Sequence, residues 1–195
     1  MTPRPASEAL VTAAADWIRG RRARVADVGT GSGAVAVNLA RFVPSAEVWA
    51  SDISAAAVFL ARANARLLGV SDRVHVLRGD LLQPLPGKFD VIVANLPYLP
   101  EADRPLYPDL AGEPDEALFA PGDGLGLYRR LLRTVEQRLD AGGAVVVQLH
   151  RRVLVAERAE LVALRTMLDE LRVNAPERRA WPRRHHRAPA FAAAA

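Results

Sequence analysis

A chain of 195 residues, half of them apolar, is long enough to bury one sizeable core, and its net charge of +4 sets 26 Lys and Arg against 22 Asp and Glu. It contains no cysteine, which excludes disulfides, thiolate metal sites and a cysteine nucleophile. No uncharged apolar run reaches the roughly 18 residues that a membrane span needs.

The charge is not evenly spread. Residues 176–195 hold Arg178, Arg179, Arg183, Arg184 and Arg187 against Glu177 alone, so the rest of the chain is balanced and its body is not basic. The sequence predicts one domain over residues 1–173, followed by a basic, disordered tail over 174–195 that offers a surface to nucleic acid. Met1 to Pro5 lacks the apolar centre of a signal peptide, so a cytoplasmic enzyme with no membrane partner is expected.

In chain order, Ala9, Leu10, Ala13, Ala14, Trp17 and Ile18 form a helical stripe over residues 6–18, with Ser7 and Glu8 placed to cap it. Arg24 to Val28 reads as a buried strand, and Val35 to Ala40 as the first turns of a helix. Glu47 to Asp52 is a second strand, and Ser54 caps a helix that stops at Gly69. Val74 to Asp80 and Phe89 to Asn95 are a third and a fourth strand. Residues 99–124 show no period and read as a long irregular loop. A helix is predicted over Leu125 to Leu139, a turn at Ala141 to Gly143, a fifth strand over Ala144 to Leu149, and a long helix over Val155 to Leu171. Strands alternating with helices of this length predict an α/β fold with a doubly wound, mostly parallel sheet.

Ligands of such sheets sit beyond the C-terminal strand ends, where strand order reverses. The singled-out residues fall at those ends. The run Asp27-Val28-Gly29-Thr30-Gly31-Ser32-Gly33 brings bare backbone N–H groups and a helix N-terminus close to a ligand, because no Cβ intervenes. Gly29, Gly31 and Ala34 also satisfy the dinucleotide fingerprint, with Asp52 where a ribose-binding acid belongs, so a nicotinamide enzyme and an S-adenosylmethionine enzyme both remain open. Asp52 can accept from two ribose hydroxyls or cap a helix. Asp80 can accept from an adenine amino group, with Ile53 and Leu81 as walls for the ring, or stand as a plain loop carboxylate. Asp27, inside an apolar strand, needs a hydrogen bond or a cation, which a methionine amino group, a sulfonium or Arg4 can supply.

Asn95-Leu96-Pro97-Tyr98 separates the two enzymes. Pro97 has no N–H, and it pushes Leu96 toward an extended backbone. The Asn95 side-chain oxygen and the Leu96 carbonyl can each take one hydrogen of a planar –NH2 group, with Tyr98 packed on its face. That arrangement suits a conjugated nitrogen awaiting a methyl group. Two fixed acceptors orient it and favour the positive charge it gains, with no general base required beforehand.

These motifs resemble the HemK/PrmC-type class I methyltransferases, which methylate the glutamine amide of the Gly-Gly-Gln motif in peptide chain release factors. The resemblance runs from Pro3 to Gln148 and rests on Pro3-Arg4-Pro5, on the glycine run, on Asp52-Ile53-Ser54, on Gly79-Asp80-Leu81 and on Asn95-Leu96-Pro97-Tyr98. It continues through Glu113-Pro114 and Gly122-Asp123-Gly124-Leu125 to Tyr128-Arg129. It implies a Rossmann-like, seven-stranded class I sheet and S-adenosyl-L-methionine bound at Asp27, Gly29, Thr30, Gly31, Gly33, Asp52, Ile53, Asp80, Leu81 and Asn95. It also implies an acceptor held by Asn95, Leu96, Pro97 and Tyr98, and a release factor-like protein as substrate.

The chain departs from the family where Leu96 replaces the first proline of N-P-P-Y and where Ala6-Ser7 replaces the E-T of the first motif. The family's N-terminal helical domain is expected to be lacking, and no closing pair of strands is visible after Leu149. An N-methyltransferase for a protein glutamine is the leading expectation. The alternatives are a methyltransferase for an exocyclic amine of an RNA or DNA base, and a donor-binding remnant without activity.

Overall fold

The structure, a computed structural model, describes residues 5–108, 112, 114–149 and 152–173. Six strands form the main sheet: β1 (Ala23–Val28), β2 (Ala46–Asp52), β3 (Val74–Arg78), β4 (Phe89–Ala94), β7 (Leu139–Leu149) and β8 (Arg152–Glu157), in the order β3-β2-β1-β4-β7-β8. All neighbours run parallel except β8, which lies antiparallel to β7. Central β1 and β4 are apolar on both faces, as strands covered by helices on both sides must be.

The two faces have separate cores. Leu10, Ile18, Leu39 and Val58, from α1 (Pro5–Ile18), α2 (Ala34–Phe42) and α3 (Ala55–Leu67), pack on one face with Val25, Val91 and Val93. Leu131, Leu132, Leu164 and Leu168, from α4 (Gly126–Arg138) and α5 (Leu161–Val173), pack on the other with Ala26, Val28, Ile92 and Ala94. Alternate residues of β1 and β4 serve opposite faces, the period of two that a strand imposes.

Several expectations are corrected. Ser7 caps nothing, because α1 begins at Pro5 and Ser7 lies inside it. Ser54 does cap α3, accepting from the Ala57 N–H at 3.3 Å. The turn expected at Ala141 to Gly143 is an irregularity inside the longer β7, where its register with β4 shifts between Phe89 and Val91. The long helix expected from Val155 does not form there. Val155 lies in β8, opposite Val146, and α5 begins only at Leu161. The sheet therefore has one antiparallel closing strand and six strands among the described residues, where seven were expected. The expected tail, 174–195, lies outside the described residues, as do Thr2, Pro3, Arg4 and Glu113.

The segment 99–124 is less irregular than its sequence implies. Short strands β5 (Leu99–Pro100) and β6 (Phe119–Ala120) pair in parallel, with a 3₁₀ turn over Glu101–Leu106 and another over Asp115–Ala117. Gly124 closes this segment against the residues after β4. Its φ is +83°, and a Cβ there would stand 2.2 Å from the Tyr98 carbonyl oxygen. Gly142, at φ +74°, has open space instead. Gly124→Ala is therefore expected to lower stability by about 3 kcal/mol or more, through strain plus collision, against about 1–2 kcal/mol for Gly142→Ala. Urea unfolding of the two variants checks this, and equal losses would contradict the close approach.

Candidate active site

The strand order reverses between β1 and β4, because β2 and β3 lie to one side and β7 and β8 to the other. In the last rung of that pair Val28 stands opposite Ala94, so Gly29 and Asn95 leave the sheet side by side. A Cβ at Gly29, whose φ is +71°, would fall 2.7 Å from Leu96 Cδ2. The glycine run and the Asn95–Tyr98 turn are thus in contact. Leu96 has a physical use that a first proline would not reproduce: its side chain fills the space that Gly29 leaves.

Four of the five amides from Gly29 to Gly33 are not bare, as the sequence predicted, but bonded within the protein. The Gly29 and Thr30 N–H groups both donate to the Ser51 carbonyl at 2.9 Å, Gly31 N–H donates to Asp52 Oδ2 at 2.9 Å, and Gly33 N–H to the Thr30 carbonyl at 2.9 Å. Asn64 Nδ2 braces the run from α3 through the Ser32 carbonyl at 2.8 Å. A pyrophosphate cradle needs those donors, and here they are taken up inside the protein.

The carboxylates are arranged otherwise. Asp52 accepts from Gly31 N–H on one oxygen and from Ser54 N–H at 2.9 Å on the other, which leaves a lone pair on each for further donors. Asp27 is 2% exposed, and its Oδ2 accepts from Thr30 Oγ1 at 2.6 Å and from Ala36 N–H at 3.1 Å. Burial, opposed by those two bonds and reinforced by the charge of Asp52, pushes its carboxyl up to about 6. Arg4, the alternative partner for Asp27, lies outside the described residues. Asp80 pairs with Arg130 of α4, an ion pair that the sequence reading missed because nothing in its spacing links β3 to α4.

Ile53 is 68% exposed beside Asp52, an apolar surface left at a strand end. Leu81 is half-buried with φ +48°, a left-handed conformation rare for leucine, and its carbonyl accepts from Ser51 Oγ at 2.6 Å. Asp52, Ile53, Asp80 and Leu81 therefore come to one end of the sheet, as expected.

Asn95 is half-buried, and among the described residues its side chain makes no hydrogen bond. Tyr98 packs with Leu99, Leu118 and Phe119. The Leu96 N–H donates to the Tyr128 hydroxyl at 3.0 Å. In the sequence Tyr128 stands only as part of the motif that ends in Tyr128-Arg129, and the fold shows what its hydroxyl holds.

The family model of the methyltransferase small domain matches residues 5–106, just over half of the chain. The chain belongs to the methyltransferase small domain family. That match covers every strand end described above from β1 to β4, and it sets aside the nicotinamide reading of the glycine run.

Two relatives of this small-domain chain are release factor glutamine methyltransferases. That of Gloeobacter violaceus is 44% identical over 76% of this chain and 53% of its own length. That of Deinococcus radiodurans is 43% identical over 83% and 58%. The chain thus spans about half the length of the curated relatives it matches. Among solved structures, a ribosomal protein L11 methylase from Lactobacillus delbrueckii superposes with a TM-score of 0.52 at 26% identity, over 72% of this chain and 58% of that one. A 16S rRNA methyltransferase of T. thermophilus in complex with AdoMet and guanosine superposes with a TM-score of 0.56 at 22% identity, over 75% and 34%, and shares the fold.

The buried charge of Asp27 has a measurable consequence. Its folded carboxyl titrates near 6 against 3.8 in the unfolded chain, so the folded state holds an extra proton between those values. Stability contributed by this group is full below about pH 4, falls as pH rises through that window, and is constant above it. Asp27→Asn removes the burial cost and is expected to raise stability at pH 7 by up to about 3 kcal/mol, with the difference vanishing below about pH 4. Thermal unfolding of both proteins across pH 3.5–8 checks the sign.

Proposed function

We propose that this chain is an S-adenosylmethionine-dependent N-methyltransferase acting on the side-chain amide of a glutamine in a release factor-like protein, in the cytoplasm. The observation that carries this reading is the Asn95 side chain. It stands one residue past the β1–β4 rung, beside the glycine run, with its amide engaged by no described residue. The names of relatives at 43–44% identity support the acceptor.

The residues present fit the donor. Asp52 has the spare lone pairs for two ribose hydroxyls, Ile53 and Leu81 supply apolar surface for an adenine ring, and Asp80 accepts from its amino group. Asp27 places a negative charge where a cationic amino acid group docks, and the taken-up amides of Gly29, Thr30, Gly31 and Gly33 suit a donor without phosphates. S-adenosylmethionine supplies an electrophilic methyl group when bound.

On the acceptor side, Asn95 Oδ1 and the Leu96 carbonyl each take one hydrogen of the glutamine –NH2. Pro97 contributes no competing donor, and Tyr98 packs on the amide face. A planar nitrogen gripped through both hydrogens is fixed in direction, and both oxygens stabilise the positive charge that grows on it.

Incubation with labelled donor and a recombinant release factor carrying Gly-Gly-Gln is expected to label the glutamine. Asn95→Ala is expected to lower that transfer by about 100-fold or more while S-adenosylhomocysteine still binds within about threefold of wild type. Equal transfer by the variant would make Asn95 structural, and label arriving only on RNA would move the acceptor to a base amine.

A further inference from the structure

Of the polar groups around the candidate site, the Tyr128 hydroxyl makes contacts that packing alone does not require. Tyr128 is fully buried in the first turn of α4. Its hydroxyl accepts from the Leu96 N–H at 3.0 Å, and lies 2.5 Å from the Gln148 carbonyl and 3.1 Å from the Leu96 carbonyl. A phenol has one hydrogen, and the shorter contact, to Gln148, takes it. The Leu96 carbonyl, 3.1 Å from that hydroxyl, has two lone pairs and keeps at least one for a further donor.

The sheet explains why a side chain is needed there. The parallel pairing of β4 with β7 ends where Ala94 stands opposite Val147. Beyond it, Leu96 and Gln148 are the next groups to be satisfied, and the Tyr128 oxygen sits between them as the rung that the separating strands no longer make. The Leu96–Pro97 peptide has no N–H, so the carbonyl of that peptide cannot be steadied through its own nitrogen. Its position is set from the Leu96 N–H side. Burial pushes the phenol well above its ordinary range, so it stays a neutral hydroxyl able to donate and accept at once.

We propose that Tyr128 is a positioning residue for methyl transfer, its hydroxyl fixing the Leu96 backbone so that the Leu96 carbonyl receives the acceptor nitrogen. This rests on the function proposed above. The role differs from that of Asn95, which touches the acceptor itself. It also differs from a packing role, because phenylalanine fills the same ring volume and removes only the oxygen.

The test compares wild type with Tyr128→Phe in three measurements. For Tyr128→Phe, kcat on the release factor is expected to fall by about tenfold or more, while the Kd for S-adenosylhomocysteine and the acceptor KM stay within about threefold. Amide hydrogen exchange at Leu96 is expected to be slow in wild type and faster in the variant. A kcat within about twofold of wild type overturns the proposal, as does a loss of kcat matched by an equal weakening of donor binding. Equal exchange at Leu96 in both proteins overturns it whatever the acceptor is, whereas a wild type that makes no methylglutamine overturns the functional reading instead. Should Tyr128→Phe fail to fold, 3-fluorotyrosine at 128 keeps the shape and weakens the oxygen as an acceptor. Its kcat is then expected to drop by about threefold with donor Kd unchanged, and an unchanged kcat counts against the proposal.

Discussion

The last rung between β1 and β4, Val28 opposite Ala94, is the constraint on which the site depends. On one side of it the chain turns into α2 and on the other into the Asn95–Tyr98 turn, and the strand order diverges from this pair in both directions. A crevice at such a point follows from the topology alone. The identity of the residues at its rim does not. Gly29 lacks a Cβ where Leu96 needs room, so the two loops close on each other. A side chain at 29 would push Leu96 outward and carry the neighbouring Asn95 with it. The glycine therefore serves the Asn95–Tyr98 turn as much as its own loop.

The polar groups at this rim follow an uneven economy of donors and acceptors. The backbone N–H groups of the glycine run are used internally, by the Ser51 carbonyl, the Asp52 carboxylate and the Thr30 carbonyl. The other polar groups gathered at these strand ends are acceptor-rich: carboxylates at 27, 52 and 80, the last paired with Arg130, an amide at 95 and a carbonyl at 96. Acceptors recognise hydroxyls, amines and cations, and they repel phosphates. Asp27 retains a charge that burial opposes, a cost that folding alone would select against and that a cationic ligand would offset. The dinucleotide fingerprint and this site share glycines and an acid at the same spacing, yet the hydrogen bonds separate them.

The parallel sheet was legible in the sequence because its strands are short apolar runs ending in Gly29, Asp52, Asp80 and Asn95, the first two of them followed at once by a helix with its own stripe. The parts that were not legible failed for identifiable reasons. Val153 to Ala156 is a four-residue apolar run, and such a run continues a helical stripe as readily as it forms a strand. The link His150-Arg151 before it contains none of the glycine, asparagine or proline that marks a hairpin, so β8 carried no local signal. The pairing of β5 with β6 joins residues 20 positions apart in a stretch without period, which no local pattern encodes. Within the site, the strand-end residues were legible as positions, and their bonds were not. Nothing in the run Gly29 to Gly33 says that the amides of Gly29, Thr30 and Gly31 are occupied, because their partners, Ser51 and Asp52, belong to the next strand.

The first turn of α4 joins these separate parts. Tyr128, Arg129 and Arg130 are consecutive, and a helix turns about 100° per residue, so the three side chains leave in three directions. Tyr128 reaches Leu96 and Gln148 just past the last rung of β4 with its neighbour β7. Arg129 takes both oxygens of Asp123, at 3.0 and 2.8 Å, and the Leu168 carbonyl of α5 at 3.1 Å, fixing the end of the 99–124 segment. Arg130 pairs with Asp80 just past the end of β3. The Arg130–Asp80 pair is partly solvated, so it orients more than it stabilises. The other two contacts are buried or half-buried and hold backbone. A single helical turn thus registers the end of β3, the Asn95–Tyr98 turn and the 99–124 segment against one another. Motif Gly122-Asp123-Gly124-Leu125 makes that registration close: Gly124 lets the segment touch Tyr98, while Asp123 ties it to Arg129 in the first turn of α4. On the function proposed above, the geometry between a methyl donor and a flat nitrogen would depend on this turn, although none of its three side chains need touch the reacting atoms.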